Sequence, residues 1–251
     1  MKIVETLNIF DSYNRVARIY PGMLAIAPVL WTLASLEPDL FVGSASRVVV
    51  SGSCFLGSLT LLASIARWRG KHVESVLVQK WGGWPTTAIL RHSDRTIDSF
   101  TKARYHQELE KICVGLKLPS EDQEKQSPSD ADARYRSATK CLIEKRREDK
   151  YHLLHKENAL YGFRRNLLGL KPAALVILVV LTSLIAIPLW NGAPASISLQ
   201  TIEADLSERR QIYSLLIANL CAIIIWTWAV RPGFVRQSSE EYAIALFRTM
   251  D

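Results

Sequence analysis

The chain has 251 residues, 22% of them charged, with a net charge of +7 and a mean hydropathy of +0.08. Those averages suit a soluble protein, but the distribution excludes an evenly solvated one. Charge is segregated along the chain, and four long stretches contain no Asp, Glu, Lys or Arg.

An N-terminal arm carrying Arg15 and Arg18 leads into the first uncharged stretch, Ile19 to Leu36. The others are Val48 to Ala66, Pro172 to Ile202 (apolar mainly over 173–190) and Gln211 to Val230. Crossing about 30 Å of hydrocarbon takes a helix of roughly 20 apolar residues. Helices also satisfy their own backbone groups where no water can. The sequence therefore predicts an all-α integral membrane protein with four transmembrane helices, at about 19–36, 48–66, 173–190 and 211–230. They form two hairpins, within 1–66 and 172–251, around a mainly helical cytoplasmic insert, 67–171.

Within the insert, the second span is expected to continue to about Lys80 and to break at Trp81-Gly-Gly-Trp-Pro-Thr-Thr, where Pro85 forbids a regular helix and the glycines permit a bend. Asp98 or Ser99 caps a helix running to about Val114, with Phe100, Ala103, Leu109 and Ile112 as its apolar face. The proline-containing, acid-rich segment Gly115 to Ser129 reads as a surface loop. A helix with Tyr135, Ala138 and Leu142 follows from Ser129 or Asp130. A further segment, Tyr151 to Leu168, leads through Gly169 to a third span with Pro172 near its first turn, where proline is tolerated. On the outer side, Ser198 to Ile212 is expected to form a short interfacial helix. The insert's apolar positions are sparse, so it is expected to pack against neighbouring subunits, and its long helices suit a stalk.

Residues 67–171 carry 22 Lys+Arg against 14 Asp+Glu, a net of +8. Basic flanks stay cytoplasmic. Arg67, Arg69 and Lys71, then Arg164, Arg165 and Lys171, then Arg231 and Arg236 accordingly place the insert and both termini inside, against the dissent of Arg209 and Arg210. The first helix reads as an anchor rather than a cleaved signal. Cys54, Cys113, Cys141 and Cys221 are scattered, without CxxC or Cys/His clusters, and read as structural thiols in a reducing compartment.

Ser53, Gly57, Thr60 and Ser64 fall at steps of four, three and four, on one face of the second span. Such a face either packs helices closely in lipid, the plainer reading, or lines an oligomeric pore. Asn219, within the fourth span, is expected to make an interhelical hydrogen bond. Trp31, Trp68, Trp190, Trp226 and Trp228 read as interface anchors. No acidic or basic residue lies deep in any span, which gives no support to a proton relay or a strongly charged selectivity ring.

Two insert segments combine aromatic rings, arginines, glycines and amides. The first carries Trp84, Arg91, His92 and Arg95, and the second carries Tyr161, Arg164 and Arg165. Rings that stack and arginines that fork onto phosphate can clamp a nucleotide. The same arginines also suit lipid head groups or internal ion pairs. These segments, WGGWPTTAILRHSD (81–94) and ENALYGFRRNLLGLKP (157–172), resemble a family of bacterial four-helix inner-membrane proteins. The architecture is similar to membrane effectors of anti-phage systems, in which a nucleotide or oligonucleotide signal controls a pore. The resemblance implies no catalytic residues.

Enzymatic signatures are absent: there is no GxSxG, P-loop or HExxH. His152, His155 and Glu157 lack a third strong ligand for zinc, and His92 with Asp94 and Asp98 reads as a polar turn. No cofactor or metal is expected. The leading expectation is a homo-oligomeric gated pore or membrane effector, a tetramer by preference. Its partners would be membrane lipids and either a nucleotide-type signal or a cytoplasmic protein. A non-conducting adaptor is the alternative, followed by a membrane lipid-modifying enzyme.

Overall fold

The computed structural model describes residues 12–36, 45–191, 207 and 209–251, with only the backbone described at 45–56, 149, 190 and 191. Among these residues no strand occurs. The helices are α1 (Ser12–Leu36, with a π-helical stretch at Arg15–Ile19), α2 (Ala45–Lys80), α3 (Pro85–Ala88), α4 (Ser99–Ile112), α5 (Glu121–Gln126), α6 (Pro128–Lys145), α7 (His152–Asn191), α8 (Arg210–Trp228) and α9 (Pro232–Phe247). Contacts divide the chain into two units: residues 18–71 with 166–231, and residues up to 17 with 72–165 and 232–251.

In the first unit, α1, α7 and α8 are long and apolar enough to cross a membrane. That makes three such helices among the described residues rather than the four expected. The expected second span lies in α2, but its first half falls in 45–56, whose side chains are outside the described set. Glycines and alanines hold the helices together, as lipid-embedded packing requires. A Cβ on Gly22 would meet the Leu62 Cβ at 3.1 Å. Deeper along α2, Ala63 and Ala66 are buried, and a Cβ on Gly169 of α7 would sit 2.6 Å from the Gly70 backbone nitrogen. Backbone meets backbone at that crossing. Leu178, Leu215 and Trp226 are buried, whereas Leu61, Val176, Val180, Leu184, Ile217, Ile224 and Ile225 face outward. An outward belt of aliphatic side chains is what hydrocarbon solvates.

Two expectations for this unit change. Helix α7 runs unbroken through Gly169 and Pro172, so Pro172 lies in its interior and not in a first turn. Proline removes a ladder hydrogen bond there, and the Gly169 carbonyl, on the preceding turn, accepts from Arg69 Nε at 3.4 Å. Trp226 is buried and packs inside, unlike the exposed Trp31, Trp68 and Trp228. The Trp190 side chain and most of the expected interfacial helix, Ser198 to Ile212, lie outside the described residues.

The second unit has its own core. Ile89, Leu90, Tyr105, Leu109, Tyr135, Ala138 and Leu142 are joined in one cluster by Ala243, Leu246 and Phe247 of α9. The insert's sparse apolar set is thus joined by the chain's own C-terminal helix. Helix α2 ends where expected, with positive φ at Gly82 (+73°) and Gly83 (+132°), which L side chains rarely adopt. Pro85 then opens α3 as its first residue. Asp98 caps α4 by accepting from Thr101 N.

The apolar face assigned to α4 is wrong at two positions. Phe100 is 89% exposed, and the buried residues are Lys102, Tyr105 and Leu109. Lys102 lies inward because its ammonium donates to the carbonyls of Arg91 and Asp94. The expected loop 115–129 contains α5, closed by a capping box between Ser120 and Gln123. Cys113 and Cys141 form a disulfide with Cα atoms 6.1 Å apart, joining the end of α4 to α6. That corrects the reading of both as free thiols. Cys221 is free.

Candidate functional site: a basic-rimmed aromatic cavity

Four helices of the second unit enclose a cavity of about 240 Å³. Helix α3 contributes Trp84 from its N-cap position, then Thr86 and Thr87. Helix α6 presents Arg136, Thr139, Lys140 and Ile143, spaced i, i+3, i+4 and i+7 along one face. Tyr161 of α7 and Ser239 and Tyr242 of α9 complete the wall. The two segments singled out from the sequence meet here, through Trp84 and Tyr161.

The walls are fixed from behind. Tyr161 donates its hydroxyl to Glu74 Oε1 at 2.6 Å, and Arg165 donates to the same oxygen at 2.8 Å. Thr139 Oγ1 donates to the Thr86 carbonyl at 3.3 Å, tying α6 to α3. Burial pushes the Tyr242 phenol up to about 12, so it stays a neutral donor. At the rim, the exposed Arg136 and Lys140 make no ion pair among the described residues.

The remaining expected ligand residues are engaged elsewhere. Arg91 forks onto Asp132, at 2.8 Å through Nε and 2.7 Å through a terminal nitrogen, which also donates to the Gly82 carbonyl. Hydrogen bonding to Asp132 holds this guanidinium above its ordinary value. Arg164 stacks over Phe234 with 4.3 Å to the ring centre and donates to that residue's carbonyl. Arg165 is buried against Glu74. Of the two readings of these arginines, internal pairing describes Arg91, Arg164 and Arg165. Arg95 is exposed and lines a separate cavity of about 380 Å³ with His92, Asp94 and Lys102.

His92 serves the fold. Its Nε2 donates to the Pro119 carbonyl at 3.0 Å, and its backbone N–H donates to Glu124. Glu124 also accepts from Tyr135 Oη at 2.7 Å and from the amide and hydroxyl of Ser93. Burial raises this carboxyl, but the hydrogen bonds together outweigh burial and hold it below its ordinary value. His106 donates to the Leu90 carbonyl, and burial pushes its imidazole below 6.5.

No protein-family model, curated protein or solved structure matches this chain. Function therefore has to be argued from the residues themselves. Among the described residues no cluster of three His, Cys, Asp or Glu stands together to hold a metal.

The stripe on α2 has a definite placement. Gly57, Thr60 and Ser64 are exposed, and nothing lies within 4 Å of a Cβ built on Gly57. Thr60 Oγ1 donates to the Gly57 carbonyl at 2.7 Å, and Ser64 Oγ to the Thr60 carbonyl at 2.9 Å. Among the described residues these three pack against nothing, and the neighbouring face with Ala63, Ala66 and Gly70 is the buried one. The Ser53 side chain lies outside the described residues. Asn219 is buried but makes no interhelical bond among the described residues. Its amide nitrogen donates to the Leu215 carbonyl of its own helix at 2.9 Å, and Oδ1 has no partner among the described residues.

Sequence reasoning missed Arg136, Thr139, Lys140, Ser239 and Tyr242. The spacing on α6 was legible; α9 lay beyond the last apolar window, in residues 231–251, whose charges cancel.

Proposed function

We propose that this chain assembles with copies of itself into a membrane pore or membrane effector, controlled through its non-membrane helical unit. The observation that carries the reading is the outward Gly57–Thr60–Ser64 face of α2. It is small, weakly polar and packed against nothing among the described residues, whereas the purely aliphatic outward faces of α7 and α8 suit lipid. In an oligomer with α2 central, that face lines a narrow passage whose hydroxyl oxygens carry no formal charge, consistent with spans free of deep ionisable groups. Control follows by population shift: a ligand preferring one arrangement of the helical unit biases α2 and α7, which belong to both units. The basic flanks support a cytoplasmic position for that unit.

The test is ion flux through liposomes containing purified protein, with Thr60→Leu as the perturbation. A bulky apolar side chain in the passage lowers flux while the oligomer persists on a sizing column. Unchanged flux in Thr60→Leu, or no flux from wild type, removes the pore and leaves a non-conducting adaptor.

A further inference from the structure

We propose that the 240 Å³ cavity between α3, α6, α7 and α9 binds a planar-ringed phosphomonoester, of the class of nucleoside 5′-monophosphates, as the controlling ligand. The identification of the ligand as a control signal rests on the function proposed above; its binding does not. A cavity of about 240 Å³ is just under the usual range for small-molecule sites, about 300–1,000 Å³. It takes one ring system with its sugar and leaves the phosphate at the mouth.

The lining is mainly apolar, and three features of the cavity and its rim suit this ligand. Trp84, Tyr161 and Tyr242 surround the space with aromatic rings, and bases stack on such rings whatever their sequence. The Trp84 indole N–H and the hydroxyls of Thr86, Thr87 and Tyr242 make no hydrogen bond among the described residues. A base and ribose offer acceptors to these donors, and an alkyl chain offers none. Arg136 and Lys140 stand one helical turn apart at the rim without an anionic partner, where a terminal phosphate would supply one.

The pocket is also built before any ligand arrives. Tyr161 is locked by Glu74 and Arg165, and α3 is pinned to α6 through Thr139. Tight geometry of this kind lowers the ordering cost of binding. The charge at the mouth is sufficient for one phosphomonoester and not for a long polyanion track.

The experiment is calorimetric titration of full-length protein in nanodiscs at about physiological salt, where exposed charges are screened beyond roughly 8 Å. The probes are AMP, UMP, adenosine, inorganic phosphate, octanoate and a short single-stranded RNA carrying a terminal phosphate. Saturable binding of AMP or UMP is expected, weakened about tenfold in Trp84→Ala, a loss on the scale of one stacking contact. Arg136→Ala/Lys140→Ala should weaken AMP and leave adenosine unchanged. RNA binding that competes with AMP and is lost in Trp84→Ala identifies a strand end as the source, and its absence identifies the free nucleotide. The far-ultraviolet spectrum and sizing profile of each variant verify folding. Octanoate binding without AMP binding, or AMP binding unaffected by both sets of substitutions, overturns the proposal. Binding without flux refutes the pore alone, and flux without nucleotide binding refutes this inference alone.

Discussion

Two glycine-to-alanine substitutions on the membrane helices should act in opposite directions, because the same methyl group meets different surroundings. At Gly169 the new Cβ would lie 2.6 Å from Gly70 N and 2.7 Å from the Arg69 carbonyl carbon, whereas ordinary contact begins at 3.4 Å. Backbone atoms cannot rotate away, so α2 and α7 must separate by nearly an ångström at their crossing. Overpacking of that sort costs about 1–3 kcal/mol, offset in part by roughly 1 kcal/mol of improved helix propensity. At Gly57 nothing lies within 4 Å, so only the propensity gain remains. Thermal unfolding in detergent reads the difference, at about 2–4 °C per kcal/mol for a chain of this size. Gly169→Ala should melt below wild type and Gly57→Ala at or above it. Equal behaviour of the two variants would refute the close crossing. A Gly57→Ala protein that keeps its fold but disperses into single chains would place Gly57 between copies and not along a passage.

Arg165→Ala should cost up to about 3 kcal/mol, the lower end of the penalty for removing one partner of a buried ion pair, because Glu74 is half-buried and keeps the Tyr161 hydroxyl; urea unfolding of Arg165→Ala against wild type measures it. Reducing the Cys113–Cys141 bond, or replacing it by Cys141→Ser, opens a link spanning 28 residues of sequence. The chain-entropy relation assigns such a loop about 3.5 kcal/mol, visible as a lower urea midpoint and a mobility shift on non-reducing gels. Acid should destabilise the second unit from two directions of shift that agree in sign. The depressed His106 imidazole and the depressed Glu124 carboxyl both take up protons more readily when unfolded, so stability rises with pH through their titration range. The His106 part is lost as pH falls below 6.5, and the Glu124 part as pH falls below the ordinary carboxyl value. In Glu124→Gln the lower part of the slope should flatten; an unchanged profile contradicts the assignment.

The helical architecture was readable because its signals are local. Charge-free windows, the Asp98 cap, the break at Gly82 and Gly83 and the Tyr135–Ala138–Leu142 face all depend on residues within a few positions of one another. What escaped depends on partners far along the chain. Nothing near Lys102 announces that its ammonium will satisfy two carbonyls eight and eleven residues back. Glu124 reads as one acid among many in 121–124, and only Tyr135 and the Ser93 turn make it a buried acceptor. Gly169 looked like a helix break because glycine permits one; close approach to Gly70 is the other reason for glycine, and it is the one at work. The cavity followed the same rule. Trp84 and Tyr161 were visible as residues suited to stacking, but their neighbours Ser239 and Tyr242 arrive from a helix far along the chain, beyond the last apolar window.

Charge and sulfur point to different compartments for the second unit, and the structure separates what each controls. In the proposed topology, the excess of +8 in residues 67–171 acts during insertion, when basic flanks resist transfer. The Cys113–Cys141 bond forms only where the surroundings are oxidising, but the proximity that permits it does not need the bond. Tyr135, Ala138 and Leu142 are fully buried beside Tyr105 and Leu109, so α4 and α6 are held together by apolar packing on both sides of the sulfur atoms. Cys113 is itself buried, with Sγ 3.8 Å from the Ala138 carbonyl, an acceptor that a thiol proton can use and a disulfide cannot. The site is therefore furnished for the reduced pair as well as the oxidised one. On the proposed topology the basic flanks would put this unit in a reducing compartment. There the Cys113–Cys141 bond would open, and the apolar core would carry the helix pairing without the covalent link.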